Sequence, residues 1–382
     1  MYRKIALEWA MDKAVFLLLA VLCFWVGKSS GAERAAWQSD WEKTVQAAKQ
    51  EGKIFIYAAL GPYHADIFAE FQKDYPEIKA SILHGNSSRI SPRLFAERRA
   101  GKYLADVYLG GPISLYSFYK NSLFDPLAPL LVMPEVVETS AWWEGKHLYV
   151  DPERQYIFIN EGSVSGFTIS YNAQMAKAGD FRSYWDLFNP KWKGKIVSLD
   201  AREPGFGASE LRYVFYHPEL GPEFIRRLFA EVNVVLSREQ QQAVNWVATG
   251  KVALCVFCRD EFADKAKAQG LPVDSINPND VKEMPRLRGS ASAITFVNKA
   301  PNPNAAKVFI NWFLSRRGQI VYQDSHGDRD SLRIDIPKDK VPEAVRRRAG
   351  KNYFFVEGPE FMDVKPAVKI IDDVLAVKAK TP

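Results

Sequence analysis

Cysteine, histidine and methionine are scarce in this chain, with 3, 5 and 6 copies among 382 residues. Cysteine this sparse excludes a disulfide-built scaffold, so stability must come from apolar cores. Histidine pairs at metal-ligand spacing, an HExxH helix and a Walker phosphate loop are also missing, which removes the common signatures of zinc hydrolases and nucleoside triphosphatases. Neither sign of charge dominates: 51 Lys and Arg stand against 45 Asp and Glu, and Arg346-Arg347-Arg348 is the one basic run. A nucleic-acid binder concentrates basic residues on one face, so no nucleic-acid partner is expected. The longest apolar run, Ala14–Val26, has 13 residues. A bilayer span needs about 20. With Arg3, Lys4 and Lys13 around it, the run reads instead as the hydrophobic stretch of a signal peptide, residues 1–32, cut after Ser30-Gly31-Ala32; the protein is then exported to the periplasm.

What is present is the balance of an ordinary folded protein, 47% hydrophobic and 25% charged. From Trp37 onward, helical and strand patterns alternate, the mark of an α/β protein with mostly parallel sheets. Short apolar strands are expected at Ile54–Ala58, Ile78–Leu83, Ala105–Leu109, Ile196–Leu199, Val252–Phe257 and Ala291–Val297. A helix is expected after Ser91, with Pro92 in its first turn and Gly101 past its end. Ser237 and Gln240 have the spacing of a capping box, and Val364, Val368, Ile371 and Leu375 form one stripe of an amphipathic helix near Lys365–Lys378.

Several segments carry a family likeness. Tyr171-Asn172, Ser183-Tyr184-Trp185-Asp186-Leu187 and Asn189-Pro190-Lys191-Trp192-Lys193-Gly194-Lys195-Ile196 are joined by Glu97–Lys102, Thr249-Gly250-Lys251-Val252-Ala253 and Pro303–Leu314. In combination they resemble the extracellular solute-binding proteins of ABC importers, in the ferric-binding cluster, over about residues 35–330. The resemblance implies a two-lobed type II periplasmic-binding fold with a ligand cleft at the hinge and two crossings between lobes. Lobe one is then 34–148 plus 290–382, and lobe two 149–289. It further implies a monomer that hands a small-molecule ligand to a membrane ABC permease, without cofactor or catalysis.

In open α/β sheets, ligands bind beyond the carboxyl ends of the strands, where helix N-termini favour negative charge. Small polar or glycine-rich turns stand at several such ends. Together with arginines that follow buried strands, they point to a small organic anion held by Tyr63, Ser87, Ser88, Gly110, Gly111, Arg202, Gly207, Arg259 and Asp260. The alternative is a metal. The ferric-binding relatives use two adjacent tyrosines, a His and a Glu; here no Tyr-Tyr occurs, Asp260-Glu261 stands near the tyrosine position, and His64 lies near the His position. A carboxylate-rich set of His64, Asp260 and Glu261 is the metal alternative. An exported hydrolase is the remaining option, but in Gly162-Ser163-Val164-Ser165-Gly166 a valine occupies the nucleophile's place. Cys255 falls inside an apolar run and reads as buried packing; a bridge to Cys258 would require the strand to end between them.

Overall fold

The computed structural model describes residues 37–59, 65–85, 87–203, 206–288, 293–327 and 329–380. Residues 1–32, read above as a signal peptide, together with Tyr63 and His64, lie outside the described residues. Three alternating βα steps open the chain: α1 (37–51), β1 (Lys53–Ala58), α2 (Ala65–Asp74), β2 (Lys79–His84), α3 (Ser87–Arg99), β3 (Val107–Gly110) and α4 (Pro112–Lys120). β4 (Phe124–Asp125), the short α5 (Pro134–Val137), β5 (Leu148–Tyr149) and β6 (Phe158–Ile159) follow. β1 pairs parallel with β2 and β3. The sheet is completed by β14 (Ala293–Val297), which returns from far down the chain and pairs antiparallel with β3, β4 and β6. Strand order is β2-β1-β3-β14-β6-β5, with β4 beside β14. Helices α10 (Pro303–Leu314) and α11 (Arg316–His326) cover it, and Phe68, Phe71, Phe309 and Phe313 are buried between them and the sheet.

The second sheet is built from β8 (Ile169–Asn172), β9 (Ile196–Leu199), β10 (Val235–Ser237), β11 (Leu254–Val256) and β12 (Val273–Ser275), in the order β10-β9-β11-β8-β12. β9 runs parallel to β10 and β11, whereas β8 is antiparallel to β11 and β12. Both sheets are therefore mixed, because β8 and β14 each enter directly from the opposite lobe. One face of this sheet packs on α6 (Phe206–Tyr216) and α7 (Gly221–Glu231), the other on α8 (Gln240–Ala248) and α9 (Asp260–Ala268).

Two strands join the halves. β7 (Ser163–Ser165) leads out and β13 (Arg286–Arg288) leads back, paired antiparallel with Ser163 opposite Arg288. A third crossing differs from the expected two. After α11 the chain runs back toward the second half, where α12 (Lys365–Lys378) packs on α6 and α7. Ala367 and Ile371 join the second core, and Arg212, buried in α6, ties the incoming segment to Glu357 at 3.0 Å and to the carbonyl of Val356 at 2.8 Å. The C-terminal part of 290–382 thus belongs with the second sheet, not the first. Local boundaries shift as well. α3 begins before Ser91, leaving Pro92 inside the helix. Ser237 ends β10 rather than boxing α8: its hydroxyl accepts from the Glu239 amide at 3.2 Å and donates to the Glu239 carbonyl at 3.0 Å.

Candidate functional site

A cavity of about 290 Å³ opens where the crossing strands meet the second sheet. Val164–Thr168 forms one wall, the start of α9 a second, Asp274–Pro278 at the end of β12 and just past it a third, and Arg288 with Pro342, Ala344 and Val345 closes the rest. The wall 164–168 is held from both sides. The amide of Val164 donates to the carbonyl of Val345 at 2.7 Å, that of Phe167 to the Tyr184 hydroxyl at 3.1 Å, and that of Thr168 to Glu210 at 3.2 Å. Gly166 has no substitute here: a Cβ would run into the Tyr184 hydroxyl and lie 2.7 Å from Pro278. Behind the wall, Glu210 and Arg286 form a fully buried ion pair. Burial raises the Glu210 carboxyl above the ordinary range against the opposing pull of Arg286.

The start of α9 brings chemistry to the cavity. Asp260 and Asp264 are one helical turn apart and so share a face, with Glu261 beside them. Asp274 joins from β12, its carboxylate held by Lys267 at 2.9 Å. Partial burial, followed by the like charges of Asp260, Asp274 and Glu261, raises the Asp264 carboxyl. Among the described lining residues the one base is Arg288. Beyond it lies Glu161, fully buried, bonded to the hydroxyls of Ser163 and Tyr322 at 2.7 Å and to Arg329 at 2.9 Å. Burial works to raise its carboxyl, but Arg329 and Arg288 outweigh that and hold it below the usual range.

Of the residues singled out from the sequence, Asp260 and Glu261 line this cavity. Arg259 is the N-cap of α9 and lies over the Phe206 ring at 5.0 Å, outside the lining. Arg202 is taken up by two carboxylates, Asp200 at 2.7 Å and Asp372 of α12 at 3.0 Å. Gly207 is a packing glycine: a Cβ would sit 3.1 Å from the Ala201 backbone. Gly110 ends β3, where a Cβ would lie 2.7 Å from the Tyr108 ring, and Gly111 is the N-cap of α4. Ser87 and Ser88 open α3. Among the described residues no group of three or more His, Cys, Asp or Glu is placed to hold a metal ion. Sequence reasoning missed Asp264, Asp274 and Arg288. Asp264 had a usable signal, its spacing of four from Asp260; Arg288 had none, since it reaches the cavity only through the pairing of β13 with β7.

Two mixed α/β halves, joined by paired crossing strands with a cavity beside the joint, define a two-lobed binding protein of the type II periplasmic class. The model of the bacterial extracellular solute-binding protein family matches residues 58–320, and the chain belongs to that family. Its role is that of the solute-binding component of an ABC importer. Solved structures share the fold at low identity. The ferric iron-binding protein A of Mannheimia haemolytica, in an open conformation, superposes with a TM-score of 0.63 at 16% identity, covering 85% of this chain and 98% of that one. A Trichodesmium protein in complex with iron and citrate gives 0.61 at 17%, covering 85% and 99%. The spermidine/putrescine transporter substrate-binding protein PotD of Streptococcus pneumoniae gives 0.58 at 16%, covering 86% and 98%. No helix among the described residues is long and apolar enough to cross a membrane.

Proposed function

We propose that this protein captures a small solute bearing positive charge, such as an amine, in the cavity at the crossing strands and releases it unchanged to an ABC permease. The observation that carries the reading is the lining itself: four carboxylates, Asp260, Glu261, Asp264 and Asp274, share it with one guanidinium, Arg288, while Lys267 holds Asp274 and Arg259 lies 3.9 Å from Glu261 from outside the lining. Burial first, and then the neighbouring like charges, raise the Asp264 carboxyl; a cation entering this wall relieves the second of these, so its binding free energy has a stated source. Phe167 and Ile276 supply an apolar wall for a short methylene chain. The lining comes from the second lobe and from Pro342, Ala344 and Val345 of the third crossing, so a solute seated there would favour the closed over the open form through contacts that the first lobe adds on closure. The lobes of this reading are 37–162 with 293–337, and 163–288 with 353–380; the protein acts as a monomer, exported by residues 1–32, without covalent chemistry.

A second reading keeps the organic anion expected from the sequence. It is favoured by Arg288 on the cavity wall and by the amide groups at the start of α9. Thermal-shift measurement separates the two. Putrescine and spermidine should raise the melting temperature, since a ligand at 100 times its dissociation constant adds about 2.7 kcal/mol of stability. Citrate and other carboxylates should not. The reverse pattern would transfer the proposal to the anion, and turnover of any added solute would end it.

A further inference from the structure

The geometry points to the Cys255–Cys258 disulfide as a positioning device that sets the start of α9, and with it the acidic wall of the cavity. This rests on the reading of that cavity as the solute's seat. Leu254 and Val256 of β11 face the core under α6 and α7, while Cys255 faces the opposite cluster with Ala243, Val244, Val247, Ala263 and Ala266. If the strand continued, Cys258 would point away from Cys255. It does not continue. β11 ends at Val256, and Phe257 takes a positive φ of 56°, which a bulky L-residue rarely adopts. That turn sends the Phe257 ring back into the first of these cores, 4.8 Å from the cavity-lining Phe167 and 6.3 Å from Phe229. Cys258 comes back beside Cys255, with Cα atoms 6.0 Å apart and both residues fully buried.

Two further observations assign the bridge a local task. The N-cap of α9, Arg259, makes no side-chain cap bond, so the helix start lacks the usual anchor and follows the turn directly. A ring closed across a sequence separation of 3 removes little chain entropy from the unfolded state, so the bridge adds less to global stability than a long-range one. What remains is holding an unfavourable backbone conformation, the kind of strain that persists only where its surroundings over-determine it. Between β11 and the first cavity residue, Asp260, stand only Phe257, Cys258 and Arg259, so a small rotation in the turn moves Asp260 and Asp264 together.

The test compares the full chain with its Cys255→Ala/Cys258→Ala variant by amide hydrogen exchange and by calorimetric titration with putrescine. Amides 262–266 should exchange at least tenfold faster in the variant, with those of β1, β3 and α10 unchanged, and the putrescine dissociation constant should rise about tenfold. Unchanged exchange in α9, or acceleration spread evenly over both sheets, overturns the proposal, because the second pattern is that of a bridge serving only global stability. If putrescine does not bind the unaltered protein, the reading of the cavity fails while the exchange result still decides the role of the bridge. Should the double alanine variant not fold, Cys255→Val/Cys258→Ala preserves more volume and is judged by the same exchange criterion.

Discussion

At the scale of single residues, the carboxylates of α9 decide what the cavity can hold. Asp260 and Asp264 share a helical face by spacing alone, and Asp274 reaches them only because β12 lies at the sheet edge beside α9. With its carboxyl raised by partial burial and by three like charges, Asp264 takes up a proton earlier than an isolated aspartate on acidification. A bound cation favours the ionised form, so affinity for putrescine should fall as the pH drops through this raised range. Asp264→Asn should remove that part of the pH dependence and weaken binding about tenfold, the scale of one charge-assisted hydrogen bond. Calorimetric titration of both proteins over a series of pH values descending from neutral checks this; an unaltered pH profile in the variant would remove Asp264 from the site. Arginine shows the opposite lesson. Arg202 and Arg259 follow buried strands as an anion clamp would, yet Arg202 is neutralised by Asp200 and Asp372 and Arg259 lies over Phe206. A strand end marks where a guanidinium starts, and the neighbours within its reach decide where it goes.

At the scale of elements, the crossing segments carry the unusual electrostatics. Asp330, nearly fully buried, accepts from Arg347 at 3.0 Å and pairs with Lys338 at 2.8 Å, while its own amide donates to Ser163 at 3.0 Å. Asp330 thus ties the first crossing, through its amide, to the third crossing, through its carboxylate. Burial lowers Lys338 to about 8 from the ordinary 10.5, and Asp330 only partly offsets that. Between these values the unfolded chain binds more protons than the folded one, so this group makes stability rise with pH over that window and penalises the fold below it. Relative to Lys338→Met, the unaltered protein should gain up to roughly 3 kcal/mol between pH 7.5 and 10.5, measured by urea unfolding at each pH. A pH-independent difference would show that Lys338 is not held in this state. Helix α9 starts where local signals agree, an acidic first turn directly after an apolar strand. The start of α3 was not legible: Pro92 looks like a first-turn residue, and the backbone before it continues the helix regardless.

At the scale of the whole molecule, the cavity sits where three crossings converge, so anything that moves one half against the other reshapes its walls. Putrescine at saturation should therefore lower the radius of gyration in small-angle scattering, and the same concentration of citrate should leave it unchanged. A scattering curve indifferent to both would remove closure from the proposal. Much of this architecture was set by local sequence alone: alternating helices and apolar strands, a stripe of Val364, Val368, Ile371 and Leu375 that must be covered, and the pairing of Asp260 with Glu261 at a helix start. These depend on neighbours within a few residues, and periodicity reports them directly. Tertiary structure decided the rest. The stripe says that α12 must dock but not that α6 and α7 receive it, and Cys255 and Cys258 meet only because β11 stops after Val256. Arg288 faces the carboxylates of α9 only through the register of β13 on β7. Contacts between residues far apart in the chain depend on how whole sheets are connected, and a local pattern of side chains carries no record of that.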